Sequence, residues 1–465
     1  MTRTNLIIIG SGPGGYRAAE HAARHGLTVT IIEAAEAGGT CLNRGCIPTK
    51  ALCRNAEVAN TMRQAQTFGI VYGKNDAEAA SEWNIKIDFT KTMQRKQQIV
   101  SQLRNGVEVL MQQTNINFVH GFAKFKDSKT VVVGNDIYTA DNIIIATGSD
   151  AKIPPIEGTG LPGVMTSNEL LEIDHIPNRL CIIGAGVIGM EFASVFNSFG
   201  SKVTVVEFMK ECLPMVDSDI AKRLRQTIAK RGVEFAMQSA VKSIEETTAD
   251  DGCRQLTVTY EKKSKPQQVN ANTVLIATGR KPNIEGLELE KAGVAYTPKG
   301  IVVDDNFRTS IDHIYAIGDV NGRCMLAHAA TFQGIHAVNH ILGKCDSIRF
   351  ETMPSAIFTY PEAACVGQSE EQLKAEGRDI ECRKGFYRAN GKAMAMNETD
   401  GMVKLFIDKA NEGRIIGCHA FGAHASDMVQ EMSALINRDT TIDQLADIIH
   451  IHPTLSEILH DMASS

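Results

Sequence analysis

The sequence predicts an α/β protein: two Rossmann-like dinucleotide-binding domains plus a C-terminal α+β part. Three observations predict it. A strand, a glycine turn, a helix and a second strand open the chain; the same unit returns at Leu180; and from about Ser347 strands and helices continue without any glycine turn of that kind.

Bulk composition sets the limits. At 465 residues the chain is too long for one ordinary core, so two to four domains are expected. Apolar residues make up 43% and charged residues 22%, and the net charge is −6, without the basic balance a nucleic-acid binder would carry. The absence of any run of 18 apolar residues predicts no membrane span. A buried-type strand at Asn5 to Ile9 leaves no place for a signal peptide, and no metal is expected. Eleven cysteines, an odd number irregularly spaced, do not form a secreted disulfide framework. A reducing, cytoplasmic setting follows, with Cys41 and Cys46 the exception; the other nine, Cys53, Cys181 and Cys418 among them, are expected to be small core hydrophobes.

The first unit runs from the strand Leu6 to Ile9 through Gly10, Ser11, Gly12, Pro13, Gly14 and Gly15 into an alanine-rich helix, Tyr16 to His25, and then a strand ending at Glu33. Gly10 permits the tight turn, Gly12 lets backbone approach a pyrophosphate, and Gly15 allows close helix–strand contact. The helix N-terminus offers N–H groups to phosphate, and Glu33 can accept from ribose hydroxyls. The second unit repeats this from Gly184 through Gly186 and Gly189 to Glu207, at the same spacing from first glycine to acidic residue. Ala146, Thr147 and Gly148 are echoed by Ala277, Thr278 and Gly279, so an internal duplication is visible and two dinucleotides are expected.

Just behind the first unit lies Gly38 to Lys50, with Cys41 and Cys46 five residues apart. On an ideal helix their Cα atoms would stand roughly 8.6 Å apart, beyond the ~7 Å span of a disulfide, so pairing requires distorted backbone. A redox pair there needs an electron carrier beside it, which assigns FAD to the first cradle and a nicotinamide to the second. Glu207 would repel a 2′-phosphate, favouring NAD over NADP.

Between Lys91 and Gln113 a helix with Ile99, Leu103, Val107 and Leu110 on one face is read as packing without chemistry. Strands are expected at Phe118 to Phe125, Thr130 to Val133 and His313 to Ile317, the last leading to Asp319, which could bind ribityl hydroxyls; Met325, Leu326, Ala327 and His328 mark a helix start. Near the end, His452 precedes a proline at an element boundary, with Glu457 a helical turn beyond to orient it as an acid–base. His450, with no comparable partner, is read as structural.

GGTCLNRGCIPTKAL, GAGVIGME, ATGRKPN, YAIGDV, MLAH and HPTLSE occur in this order, and the chain thereby resembles, over nearly its whole length, the pyridine nucleotide–disulfide oxidoreductases, most closely the branch that oxidises dihydrolipoyl groups. The resemblance implies that Cys41 exchanges with substrate sulfur and Cys46 faces the flavin. Lys50 would lie by the flavin ring, paired with Glu191. His452, oriented by Glu457, would serve the opposite subunit of a homodimer, making the C-terminal part a dimerisation domain. FAD contacts map onto Gly10, Gly12, Gly14, Gly15, Glu33, Gly39, Thr40, Lys50, Ala123 through its backbone, Thr147, Gly148, Ser149, Asp319 and Met325, Leu326, Ala327 and His328. NAD contacts map onto Gly184, Gly186, Val187, Ile188, Gly189, Glu191, Glu207, Val241 and Gly279. The implied division is 1–150 and 281–346 for FAD, 151–280 for NAD and 347–465 for dimerisation.

The resemblance also implies a lipoyl-bearing partner protein from a 2-oxo-acid dehydrogenase complex or the glycine cleavage system, the lipoyl group arriving on another chain. Sister activities fit less well. A mercuric reductase would carry a second cysteine pair near its C-terminus. Glutathione-type reductases place an aromatic residue at the position of Val187 and basic residues at that of Glu207. A non-catalytic FAD-binding protein or a plain NADH oxidase would have no need of the cysteines and of His452 with Glu457. Arg44 and the run Phe358 to Glu362 depart from the family's usual wording and bear on which disulfide is the substrate, not on the reaction class.

Overall fold

The computed structural model describes residues 1–71, 85–249 and 252–465. They form two compact units, one from Met1–Ala51, Met93–Lys152 and Gly279–Ile348, the other from Leu52–Thr92, Ile153–Thr278 and Arg349–Ser465.

The first unit is built on a seven-stranded sheet. Thr2–Ile9 lies between Val29–Glu33 and Asp136–Ile145, parallel to both, and Val29–Glu33 is followed by Ile116–His120. The late half of Asp136–Ile145 takes Ile314–Ala316 in parallel, while its early half turns into an antiparallel meander with Thr130–Val133 and Ala123–Asp127. Leu6, Ile7, Ile8 and Ile143 to Ile145 are fully buried, as expected of strands covered on both faces. The helices Pro13–Arg24 and Ala327–Ile341 lie close: a Cβ on Gly14 would stand 2.9 Å from the Ala330 carbonyl oxygen, and one on Gly334 2.8 Å from that of Gly14. The stretch read as one strand from Phe118 to Phe125 is two, broken at Gly121, whose φ is +150°.

The second unit repeats the parallel plan in the sheet Glu234–Ala236, Lys202–Val206, Arg179–Ile183, Thr273–Ile276, Val164–Met165, and adds the meander Ser239–Thr248, Arg254–Lys262, Lys265–Ala271. Its C-terminal portion is a five-stranded antiparallel sheet in the order Ser355–Ile357, Glu362–Gly367, Arg414–Gly422, Met402–Asp408, Ile380–Phe386. One face, with Ala364, Val366, Cys418, Val403 and Leu405, forms an apolar core with Ala425–Asn437 and Glu457–Ala463. The other face carries Lys404 and His419, opposite each other in register, and meets Asp217 at the start of the helix Ser218–Lys230. Lys404 Nζ donates at 2.8 Å to both Asp217 oxygens and at 2.6 Å to Glu370, and the Asp217 N–H donates to His419 Nδ1. With Asp217 at 0% and Lys404 at 2% exposure, this is a buried ion pair with its remaining polar groups satisfied.

The structure differs from the sequence expectation at two further places. The helix Phe89–Leu110 leaves Leu103 43% exposed and instead buries Thr92, Lys96 and Val100, so its buried stripe includes a lysine that periodicity assigns to solvent. Of the nine remaining cysteines only Cys181, Cys212, Cys365 and Cys418 are buried; Cys324, Cys53 on the helix Cys46–Arg63 and Cys382 on the strand Ile380–Phe386 are half-buried, and Cys253 and Cys345 are exposed on irregular segments.

Candidate active site

The two glycine cradles match atom by atom. Gly10 and Gly184 have φ of +103° and +108°, and a Cβ on either would stand 2.4 Å from a carbonyl oxygen, that of Ala146 or Ala277. A Cβ on Gly15 or Gly189 would be 1.9 or 2.0 Å from the oxygen of Gly10 or Gly184, so no side chain fits there. Glu33 accepts from the Ser11 N–H at 2.7 Å, the Ser11 hydroxyl at 2.8 Å and the Ala35 N–H at 2.8 Å. Glu207 accepts from the Ala185 and Met209 N–H groups, both at 2.6 Å.

The cradles fit dinucleotides. The helices Pro13–Arg24 and Val187–Phe199 start from Gly12 and Gly186 with no side-chain cap, so their first N–H groups remain for phosphate oxygens. A Cβ on Gly186 would meet nothing within 4 Å and one on Gly12 only the Gly39 Cα at 4.0 Å, which leaves room in front of each turn. Val187 and Ile188 form the first turn of the second helix, Val241 lies in the strand Ser239–Thr248, and Gly279 has φ of +112° with open space beside it.

In the first unit, Ser149 donates to Asp319 at 2.5 Å and accepts from Arg280 Nε at 2.7 Å, while the Arg280 Nη2 reaches the Ser149 carbonyl at 2.6 Å. Thr147 donates to the Asn283 carbonyl at 2.7 Å, and Gly148 has φ of +72° with nothing within 4 Å of its Cβ position. Asp319 sits in the short 3-10 turn Gly318–Asn321, whose first N–H is held by Gln333, and Leu326 precedes the helix Ala327–Ile341, in whose first turn His328 lies. Ala123 opens the strand Ala123–Asp127 and is buried.

The redox segment follows Glu33. A short helix, Gly39–Arg44, stops at Gly45, with φ −145° and ψ −113°, and a new helix, Cys46–Arg63, starts at once. That break is the distortion the cysteine spacing demands. A side chain at Gly45 has no place, since its Cβ would stand 2.9 Å from the Thr40 oxygen and 3.2 Å from the Cys41 Cα. Thr49 secures the new helix by donating from its hydroxyl to the Gly45 oxygen at 2.7 Å. The two cysteine side chains face each other across the break. Cys41 is raised well above the ordinary thiol range by the Cys46 hydrogen bond and then by burial, while the Lys50 ammonium, one helical turn beyond Cys46, pulls the other way. Asn43, between them, donates to the Ala37 and Gly39 carbonyls, and Arg44 pairs with Glu36 at 2.8 Å. Gly39, φ +62°, lies against the cradle: its Cβ would be 2.6 Å from the Gly12 Cα.

In the second unit Glu191 is 3% exposed and accepts from the Phe358 N–H at 2.9 Å. His452 Nδ1 meets Glu457 Oε1 at 2.8 Å, and the Thr454 N–H donates to the other Glu457 oxygen at 2.7 Å. These two contacts, the Thr454 N–H first, hold the Glu457 carboxyl below the ordinary carboxylate range. An imidazole donating from Nδ1 to a carboxylate keeps Nε2 as the free basic nitrogen. His450, which the sequence shows without a comparable partner, has a carboxylate partner in the fold, Glu431, at 3.0 Å, and its side chain is 6% exposed, so it is a packed, satisfied histidine. Glu431 lies in the helix Ala425–Asn437, too far along the chain for local spacing to reveal.

Among the described residues no cluster of three His, Cys, Asp or Glu is placed to hold a metal, and no helix is long and apolar enough to cross a membrane.

Two dinucleotide cradles, one followed by a pair of facing cysteines, define a flavin- and nicotinamide-dependent disulfide oxidoreductase. The chain belongs to the pyridine nucleotide-disulphide oxidoreductases: that family's pattern matches residues 4–334 and its dimerisation domain residues 353–463. FAD and NAD are the family's cofactors and those of this chain. Curated relatives include a dihydrolipoyl dehydrogenase of Bacillus subtilis, 37% identical over 98% of this chain and 97% of its own length. Others are those of Mycobacterium tuberculosis at 39% over 99% and 97%, and of Geobacillus stearothermophilus at 38% over 99% and 95%. Among solved structures, the HOCl-induced flavoprotein disulfide reductase RclA of Escherichia coli superposes with a TM-score of 0.86 at 31% identity, covering 99% of each chain.

Proposed function

We propose that this chain oxidises protein-borne dihydrolipoyl groups to the cyclic disulfide and delivers the electrons to NAD, the activity of a dihydrolipoyl dehydrogenase. The observation that carries this reading is the Cys41–Cys46 pair across a broken helix behind a dinucleotide cradle, in a chain 37–39% identical over nearly its whole length to enzymes of that name.

In this reading His452 Nε2 takes the proton from a dihydrolipoyl thiol, and Glu457 steadies the imidazolium that results. The substrate thiolate attacks Cys41 of the oxidised pair, expelling Cys46 as thiolate. The second substrate thiol, deprotonated in turn, displaces Cys41, so that lipoyl disulfide leaves and both cysteines are reduced. Bound FAD supplies the two-electron path from the dithiol to the nicotinamide. Lys50 favours the thiolate form of the pair.

Glu33, Ser149, Asp319 and the helix start at Ala327 hold FAD, and Glu207 with the second cradle holds NAD. The corresponding domains are 1–150 and 281–346 for FAD, 151–280 for NAD and 347–465 for dimerisation. A homodimer follows from the dimerisation domain, and what supports a cross-subunit role for His452 is its 81% exposure beside Ile449 and Ile451, exposed by 96% and 78%. The cysteine usage supports a cytoplasmic protein, and the lipoyl group would come on a separate chain of a 2-oxo-acid dehydrogenase complex or the glycine cleavage system.

Steady-state turnover of dihydrolipoamide with NAD, set against glutathione disulfide with NADPH, tests the reading; preference for the second pair sinks it in favour of a glutathione-reductase-like enzyme. Dihydrolipoamide-dependent NADH formation that survived Cys46→Ser would sink the disulfide mechanism itself.

A further inference from the structure

We infer that Arg104, on the long helix Phe89–Leu110, is a positioning residue for Cys41, acting through the amide of Asn43. The inference rests on the disulfide chemistry proposed above.

Asn43 stands between the two cysteines. Its amide nitrogen has two hydrogens, and both are committed to the turn that leads into the redox helix: one to the Ala37 carbonyl at 2.9 Å, one to the Gly39 carbonyl at 3.0 Å. The amide oxygen faces the opposite way and accepts from Arg104 Nε at 2.8 Å. Arginine has donors only, so it demands oxygen at that position, just as two carbonyls demand nitrogen at theirs. The three contacts together allow one orientation of the amide. Without Arg104 the oxygen loses its partner in a half-buried site, and a flipped or rotated amide would release both carbonyls.

Those carbonyls matter because their turn has little slack. Gly39 lies directly against Gly12 of the first cradle, as its forbidden Cβ position shows. Cys41 is two residues further on, in a helix of only six residues that Gly45 ends. So short a helix does not hold its own register, because its first N–H and last carbonyl groups are all at its ends. The register comes from contacts that leave the helix: Asn43 to the Ala37 carbonyl, Arg44 to Glu36, and, on the Asn43 amide oxygen, Arg104, 61 residues away along the chain. The helix Phe89–Leu110 thus fixes where the sulfur that the substrate attacks sits, through Asn43.

The experiment compares wild type, Arg104→Leu and Arg104→Lys in the FAD-loaded protein, by three readouts. Expected for Arg104→Leu is a fall of about tenfold or more in kcat/KM for dihydrolipoamide, the scale of a displaced reacting group. NADH oxidation by ferricyanide, which bypasses the disulfide, should stay within about twofold. The rate at which iodoacetamide alkylates Cys41 in the reduced protein should change with the Leu variant, and Lys, still a donor, should restore a substantial part of both lost quantities. Unchanged dihydrolipoamide kinetics and alkylation in Arg104→Leu overturn the inference, as does a parallel fall of both activities, which marks a general structural role. If wild type fails to oxidise dihydrolipoamide, the proposed substrate is wrong, and the alkylation rates still decide the role of Arg104.

Discussion

His452 Nδ1 and Glu457 Oε1 lie 2.8 Å apart, with the second carboxylate oxygen held by the Thr454 N–H, so the carboxylate is fixed before it fixes the imidazole. His452→Gln should lower kcat/KM for dihydrolipoamide by about 10²–10⁴-fold, and Glu457→Gln by about tenfold or more, since the imidazole then loses its orienting acceptor. Ferricyanide reduction by NADH, measured on the same preparations, should be nearly untouched.

Gly45 breaks the helix between the cysteines, and its Cβ position is filled by Thr40 and Cys41 backbone. Gly45→Ala should therefore force the two helices apart locally, at about 1–3 kcal/mol in stability. Titration of the pair with dithiothreitol should show a shifted midpoint; an unchanged midpoint with full activity would contradict the account of the break.

Lys404→Met leaves Asp217 buried without its counter-charge and should cost about 3–5 kcal/mol in a denaturant titration. Burial works to raise the Glu370 carboxyl, but hydrogen bonds from Lys374 and Lys404 prevail and bring it to about 2, from 4.5. A depressed carboxyl stabilises above its unfolded value, and that contribution is lost as pH falls from about 4.5 towards 2. Because Glu370 is partly open to solvent, screening reduces it to about 1 kcal/mol. Glu370→Gln should be less stable at neutral pH by that amount and lose less between pH 4.5 and 2 than wild type does.

Glu207→Arg removes an acceptor for ribose hydroxyls and offers a phosphate partner instead. The ratio of kcat/KM for NAD over NADP should drop by about tenfold or more, read from steady-state rates with each nucleotide. Because Glu207 also accepts from the Ala185 and Met209 N–H groups, part of the loss should appear as a higher KM for both.

What could be read from the chain depended on the range of the interaction. Gly15 and Gly189 are legible because a clash with the carbonyl five residues back forbids every side chain, and Gly10 and Gly184 because their own φ of +103° and +108° favours glycine, so each constraint is written locally. His452 and Glu457 are legible for the same reason of short range. Arg104 with Asn43, Lys404 with Asp217 and His450 with Glu431 are pairs that only the fold brings together. In a sequence Lys96, Arg104 and Lys404 all look like ordinary solvated charges. Periodicity accordingly shows only packing in the helix Phe89–Leu110 and puts Leu103 in its buried stripe, because a buried lysine stem is indistinguishable from a surface one in the pattern alone.

Glu33 and Glu207 each accept backbone N–H groups on both carboxylate oxygens, one from the glycine turn and one from the residue two positions beyond. Each turn is thereby tied to the end of its neighbouring strand by bonds the protein makes with itself, so the entropy of ordering it is spent in folding rather than in binding. Cofactor affinity and the stability of the empty protein then share these hydrogen bonds. Replacing either glutamate should loosen the apoprotein as well as its nucleotide, and reconstitution should behave as the docking of a ligand into a seat already set.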